Sequence, residues 1–143
     1  PQSESFETDI KYLKEKVDAG ADFITTQLFL DNKHFYKFRD NVTKIGIKVP
    51  LIAGVMTATK IANLEKMVTL CKVEIPEKFR QSVMTSCDRN SNICEETIKY
   101  TSDQINDLIK NDVKAIHLYA MNKIEQNKRI YYESALSSVR KKL

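Results

Sequence analysis

Few residues of this chain are of a type that could do chemistry. Gln27 interrupts the apolar run Phe-Ile-Thr-Thr-Gln-Leu-Phe-Leu-Asp at 23–31. An amide near the end of a buried strand must find hydrogen-bond partners or cost roughly 1–3 kcal/mol. In parallel α/β proteins the carboxyl ends of strands are where ligands are held. Gln27 is therefore the first functional candidate, weighed against an amide satisfied by neighbouring strands. Cys71, Cys87 and Cys94 contain no C-x-x-C, and no histidine lies near them to complete a zinc set. Free thiols in a reducing, cytoplasmic compartment are expected, with no metal. Asp31 is the only carboxylate at the end of a strand, and it fits better as a helix cap. His34 reads as a surface helix residue.

These candidates must be positioned by a chain of 143 residues, at most one ordinary domain, expected as a single region over 1–143. A content of 42% hydrophobic and 29% charged residues suits a packed core. There is no apolar run of about 18 residues and no basic-then-apolar leader, so neither membrane span nor secretion is expected. Because the first residue is Pro1, a mature fragment, an expression fragment or the later part of a longer chain is expected. The net charge of +4 has one dense cluster, Arg140-Lys141-Lys142, and no interleaved aromatics. A solvated face is expected, not a nucleic-acid surface.

Strands and helices alternate. Helices are expected over 8–19, 32–45, 59–71, 76–83, 95–110 and 124–139, with Thr8 or Asp9 capping the first and Asp31 the second. Gly20, Gly46 and Asn111 end three of them. Strands are expected over Phe23–Asp31, buried on both sides, and over Val49–Val55 and Lys114–Met121; Ser86–Asn92 reads as loop. The stretches DAGADFITTQ, KIGIKVPLIAG and KNDVKAIHLYA form a weak internal repeat. In the third strand Ile116, Leu118 and Ala120 share one face, and His117, Tyr119 and Met121 the other. Thr25 and Gln27 form the polar side of the first, while Ala53 and Gly54 are small where the chain leaves the sheet. One apolar and one partly polar face suit a barrel. The fold class is α/β of (β/α)₈ TIM-barrel type, with only the later half present: about three parallel strands alternating with helices.

Three stretches carry a resemblance: Asp9–Ala21 (DIKYLKEKVDAGA), the TTQLFLD ending at Asp31, and His117–Lys123 (HLYAMNK). With LIAGVM at 51–56 they resemble methylenetetrahydrofolate reductase, a flavin-dependent barrel enzyme, in register to about Ile130. The resemblance implies hydride transfer from NADH or NADPH to FAD and on to 5,10-methylenetetrahydrofolate, giving 5-methyltetrahydrofolate. It further implies a folate substrate and a homo-oligomer.

By position, Asp9 and Lys16 match residues that contact the FAD ribose and phosphates. Their spacing puts them two turns apart on one helix stripe, where the plainer reading is a helix-start acid and a solvated base. Tyr12 shares the stripe, and Glu15 stands where some members carry a base. Gln27 matches a pterin-contacting glutamine. Asn63 falls where some members use Gln and Met67 where some use Phe, both in the substrate pocket. Tyr119 matches a tyrosine lining the site. Lys123 falls where an Arg meets the acidic folate tail, supplying charge without the bidentate fork. His117 also matches, against packing inside the barrel.

Ala53 departs from a usual Pro-Gly pair, and Ser86–Ile93 lacks a usual acidic run. The family's first half, with its proton-donating glutamate and most FAD contacts, has no counterpart, so no catalytic residue is expected here and the isolated chain is expected to be inactive. Two other readings stand: a non-catalytic half-barrel that pairs with itself or a partner chain, and a pterin-binding methyltransferase-type barrel without flavin.

Overall fold

The computed structural model of the chain describes residues 5–57, 61–87 and 94–139, and for 61–64 and 67 only the course of the backbone. The first helix, α1 (Phe6–Asp18), starts earlier than expected because Ser5, not Thr8 or Asp9, is its cap: the Ser5 hydroxyl accepts the Thr8 N–H at 3.1 Å. Next come β1 (Ile24–Thr25), α2 (Asn32–Lys44), β2 (Leu51–Met56), α3 (Ile61–Cys71), α4 (Glu77–Ser86), α5 (Glu95–Lys110), β3 (Ala115–Tyr119), α6 (Ile124–Glu133) and α7 (Leu136–Val139). Asp31 caps α2 as expected, its carboxylate accepting the Lys33 N–H at 2.9 Å. Gly20 and Gly46 take the left-handed conformation after α1 and α2. After α5 that role passes from Asn111, whose φ is −93°, to Asp112 at +62°. The closing helix is broken because the Ala135 N–H donates to Asn106 Oδ1 of α5 at 2.7 Å. The expected helix start at 59, the rest of the loop from 88 and the basic cluster Arg140-Lys141-Lys142 lie outside the described residues.

The sheet is parallel in the order β1-β2-β3, with Ile24 opposite Leu51 and Gly54 opposite His117. Three parallel strands alternating with helices form part of a (β/α)₈ barrel type. On one face Ala53, Val55, Ile116 and Leu118 pack with Phe29, Phe35, Ile98, Ile105, Leu108 and Ile130, which come from the chain after β1 and from α2, α5 and α6. On the other, Met56 and Tyr119 are covered by Leu28, Leu30, Phe79 and Val83, while His117 stays exposed.

Three expectations are corrected. Phe23–Asp31 is not a doubly buried strand: only Ile24 and Thr25 join the ladder, and Phe23 is 58% exposed. With one neighbouring strand, β1 is an edge, and nothing in the described chain covers its outer side. Ala53 and Gly54 lie in mid-β2, not where the chain leaves the sheet. Cys87 and Cys94 form a disulfide, with Cα atoms 5.3 Å apart, so among the three thiols only Cys71 is free. They end α4 and begin α5, so helix packing brings together residues seven apart in sequence.

Helix α5 is the central support. Thr97 and Thr101 return their hydroxyls to carbonyls one turn back, which lets polar residues sit on its buried face. Gln104 donates to the Phe29 carbonyl at 2.9 Å and Tyr100 to that of Leu30 at 2.5 Å. Burial, then the charge of Asp31, raises the Tyr100 hydroxyl's pKa. Asp107 accepts from Tyr36 at 2.6 Å and Asn32 at 2.7 Å, tying α2 to α5. Burial first, then Asp107, pushes Tyr36 up to about 12. The Tyr36 and Asn32 hydrogen bonds hold Asp107 below the ordinary carboxylate value of 3.8. Arg129 of α6 forks onto Glu95 at 2.6 Å, an exposed pair that adds little to stability.

Two outcomes follow from this packing. A Cβ at position 54 would collide with the Thr26 carbonyl oxygen and lie 2.9 Å from the Tyr119 ring. Gly54→Ala should therefore cost about 2 kcal/mol in denaturant unfolding, and an unchanged midpoint would contradict the close approach. Because the folded pKa of Asp107 is lowered, its contribution is present above the unfolded value and is lost as pH falls through the folded one. Asp107→Asn should cost about 1 kcal/mol at pH 7 and progressively less below about pH 4. Melts at pH 7 and pH 3 that show an equal loss would refute this.

Candidate functional site

Helix α1, the end of β1 and the start of α2 enclose a cleft of about 590 Å³. Its apolar lining includes Phe6, Tyr12, Phe29, Phe35 and Phe38, and its polar groups include Asp9, Glu15, Lys16, Thr25, Gln27 and His34. The size and the mix of mostly apolar walls with few polar groups are those of a small-molecule site. Asp9 and Lys16 lie on α1 about 10 Å apart along its axis, both exposed. Among the described residues the structure pairs neither the Asp9 carboxylate nor the Lys16 ammonium with an ion partner. A cation and a carboxylate with their charges unspent can hold a phosphate and a hydroxyl of one ligand. Glu15 adds negative charge that the Lys16 ammonium must outweigh toward an anion.

Gln27 reaches this cleft in an unexpected way. It is exposed, not buried, and its Oε1 accepts the Leu28 N–H at 3.0 Å. That bond defines the amide's orientation, because only the oxygen can accept from a backbone N–H, and it leaves both Nε2 hydrogens to donate. The backbone before it has left the ladder. Thr26 N–H still donates to the Ile52 carbonyl at 3.0 Å, but the Gly54 N–H donates to Thr26 Oγ1 at 2.9 Å. The Thr26 carbonyl instead lies over Gly54 and accepts the Tyr119 hydroxyl at 3.1 Å.

The structure thus brings Asp9, Lys16 and Gln27 to one cleft and joins Tyr119 to it through the Thr26 carbonyl. Lys123 is apart, in a second cavity of about 430 Å³ with Asn127, Lys128, Tyr131 and Tyr132. Asn63 and Met67 fall on α3, with side chains outside the described residues. His117 is exposed with its ring edge-on to Tyr119 at 4.6 Å, so it does not pack inside this chain. His34 is a surface residue as expected and also lines the cleft, 3.7 Å from Glu74. Sequence reading passed over Thr26. Its only signal was a second hydroxyl beside Thr25, next to the glutamine.

Comparison with known proteins agrees with this picture. The family model described as methylenetetrahydrofolate reductase matches residues 1–135. The chain is 33% identical over 119 residues to methylenetetrahydrofolate reductase (NADH) 1 of Arabidopsis thaliana, covering 83% of this chain and 20% of that protein. It is 31% identical over 128 residues to a probable methylenetetrahydrofolate reductase (NADPH) of Caenorhabditis elegans, covering 86% and 19%. With 5,10-methylenetetrahydrofolate reductase of Escherichia coli the identity is 30% over 132 residues, covering 89% and 43%. The chain therefore spans from a fifth to under half of these relatives' lengths. A solved structure of an uncharacterized protein from Clostridium thermocellum, which binds two copies of 5-methyl-5,6,7,8-tetrahydrofolic acid, shares the fold. Its TM-score is 0.64 at 15% identity, over 94% of this chain and 49% of that one. Since the match runs through α1, the Gln27 segment and β3, the chain belongs to the methylenetetrahydrofolate reductase family.

Proposed function

We propose that this chain supplies the FAD-holding helix and part of the folate pocket of a reductase that converts 5,10-methylenetetrahydrofolate to 5-methyltetrahydrofolate. The observation that carries this reading is the single cleft shared by Asp9, Lys16 and Gln27. FAD, when bound, supplies the relay of hydride from NADH or NADPH to the folate. The residues present suit it: Lys16 offers a cation to the phosphates, Asp9 an acceptor to ribose hydroxyls, and Phe6 and Tyr12 apolar walls. Gln27 donates from Nε2 to the pterin edge, with Tyr119 behind it. By the family resemblance Asn63 and Met67 are proposed as further substrate-binding residues, and Lys123, from its separate cavity, as the cation for the acidic tail. Relatives of both the NADH and the NADPH type support either donor.

The carboxylates lining the cleft, Asp9 and Glu15, stand on α1, away from the strand ends, and Asp31 is spent as a cap. No side chain of the described residues takes the role of proton donor to the pterin, so the isolated chain is proposed to be inactive. The whole of 1–143 is proposed as one region that self-associates through its open sheet edges. In support, Phe23 is exposed just before β1, and Met121, Ile124 and Tyr132 beyond the end of β3. No described helix is long and apolar enough to cross a membrane. Cytoplasmic residence is proposed on the sequence pattern, with the Cys87–Cys94 pairing weighing against it.

Titration of FAD with the purified chain should show saturable quenching of flavin fluorescence, weakened about tenfold by Lys16→Ala through loss of one charge-assisted contact. A folded chain that binds 5-methyltetrahydrofolate but no flavin would favour the methyltransferase-type reading instead. Sedimentation at micromolar concentration should give a dimer or larger species, and a stable monomer would count against association through the edges.

A further inference from the structure

We infer that Thr26 is a positioning residue for Gln27, and that it acts by replacing a rung of the sheet with its own hydroxyl. The inference rests on the folate-binding reading of Gln27. In a regular parallel ladder the Gly54 N–H, which follows the Thr26 N–H to Ile52 carbonyl bond, would donate to the Thr26 carbonyl. Here it donates to Thr26 Oγ1, and the carbonyl is released.

The released carbonyl needs another donor and a place to lie. The Tyr119 hydroxyl, 93 residues away in sequence, is the donor. The place is the space above Gly54 where any other residue would carry its Cβ. Three residues, one just after β1 and one each on β2 and β3, thus interlock: a hydroxyl that accepts in place of the backbone, a glycine without a side chain, and a tyrosine that donates to the rotated peptide. Each is required by the other two.

The consequence falls on the next residue. Beyond the rotated Thr26–Gln27 peptide, Gln27 is exposed like Thr25, and the alternation is lost two residues later, so that Leu28, Phe29 and Leu30 are buried in succession. The amide of Gln27 folds onto the Leu28 N–H and faces the cleft as a donor. With a regular rung at Gly54, the Thr26 carbonyl would point along the sheet to β2, the Thr26–Gln27 peptide would turn back into the ladder, and the Gln27 amide would lose that orientation.

The test separates the positioning role from the binding reading. In nitrogen-labelled chain, Thr26→Val, which keeps the shape but cannot accept, should move the Gln27 side-chain amide and the Leu28 backbone amide resonances. It should also speed Gly54 amide exchange about tenfold, the loss of one hydrogen bond. Thr26→Ser should leave all three as in the parent. Unmoved Gln27 and Leu28 resonances in a folded Thr26→Val chain would overturn the inference. In calorimetric titration with 5-methyltetrahydrofolate, Thr26→Val should weaken binding about tenfold in the parent and less than about twofold in a Gln27→Ala background. Equal losses in both backgrounds would overturn it as well. A parent chain that binds no folate, yet shows the resonance changes, would sink the function assigned to Gln27 and leave the positioning by Thr26 standing.

Discussion

A strand that leaves its sheet early must find new partners for the peptide groups it takes out of the ladder. In this chain that constraint falls on residues 26–30, and side chains meet it. The Gly54 N–H is taken by the Thr26 hydroxyl, the Thr26 carbonyl by Tyr119, the Phe29 carbonyl by Gln104 and the Leu30 carbonyl by Tyr100. Buried peptide groups without partners would each cost a few kcal/mol, so this short segment has its path set by residues from β2, β3 and α5. Loss of one partner would leave the others holding a backbone whose geometry no longer suits them.

Much of the remaining architecture can be read as support for those donors. Helix α5 must bring Tyr100 and Gln104 to the segment, and it does so with Ile98, Ile105 and Leu108 in the core. Its threonines bond to their own helix, so the polar side chains do not disturb the packing. Asp107 extends the same face to α2, whose Phe35 and Phe38 wall the cleft. The disulfide at the start of α5 and the Arg129 fork at the same end tie it to α4 and α6. Helix α1 is held lightly, with no fully buried residue, and it carries Asp9 and Lys16. The cleft therefore has one firm wall and one lightly held wall, an arrangement suited to a ligand that completes the packing when it binds.

Among the described residues the sheet is open at both edges. Two edges and the exposed His117 face water in a fold type whose strands otherwise close on one another. The chain spans less than half of the relatives it matches, and its surfaces agree with a part that packs against further strands. The family relation and the geometry thus meet on one point: the three strands of the described residues are part of a barrel and do not close it.

What the sequence determined by itself was much of what depends on local period, the period-two reading of Phe23–Asp31 being the exception. The helix over Glu95–Lys110 has the bounds its pattern predicts, Asp31 caps α2, and Ile116 and Leu118 face the helices. Gln27 stood out as an amide in an apolar run, and the stretches around it pointed to the family. Tertiary structure alone decided how Gln27 is presented, why position 54 is glycine, that Cys87 meets Cys94, and which candidates share a cleft. The reason is distance along the chain. The rotated peptide depends on partners 28 and 93 residues away, and a periodic pattern carries no record of contacts at that range. Lys123, on the same HLYAMNK stretch as Tyr119, turned to a different cavity for a local reason that a periodic pattern also misses: the chain between them passes through the left-handed conformation at Met121 and Asn122 and leaves the strand direction behind.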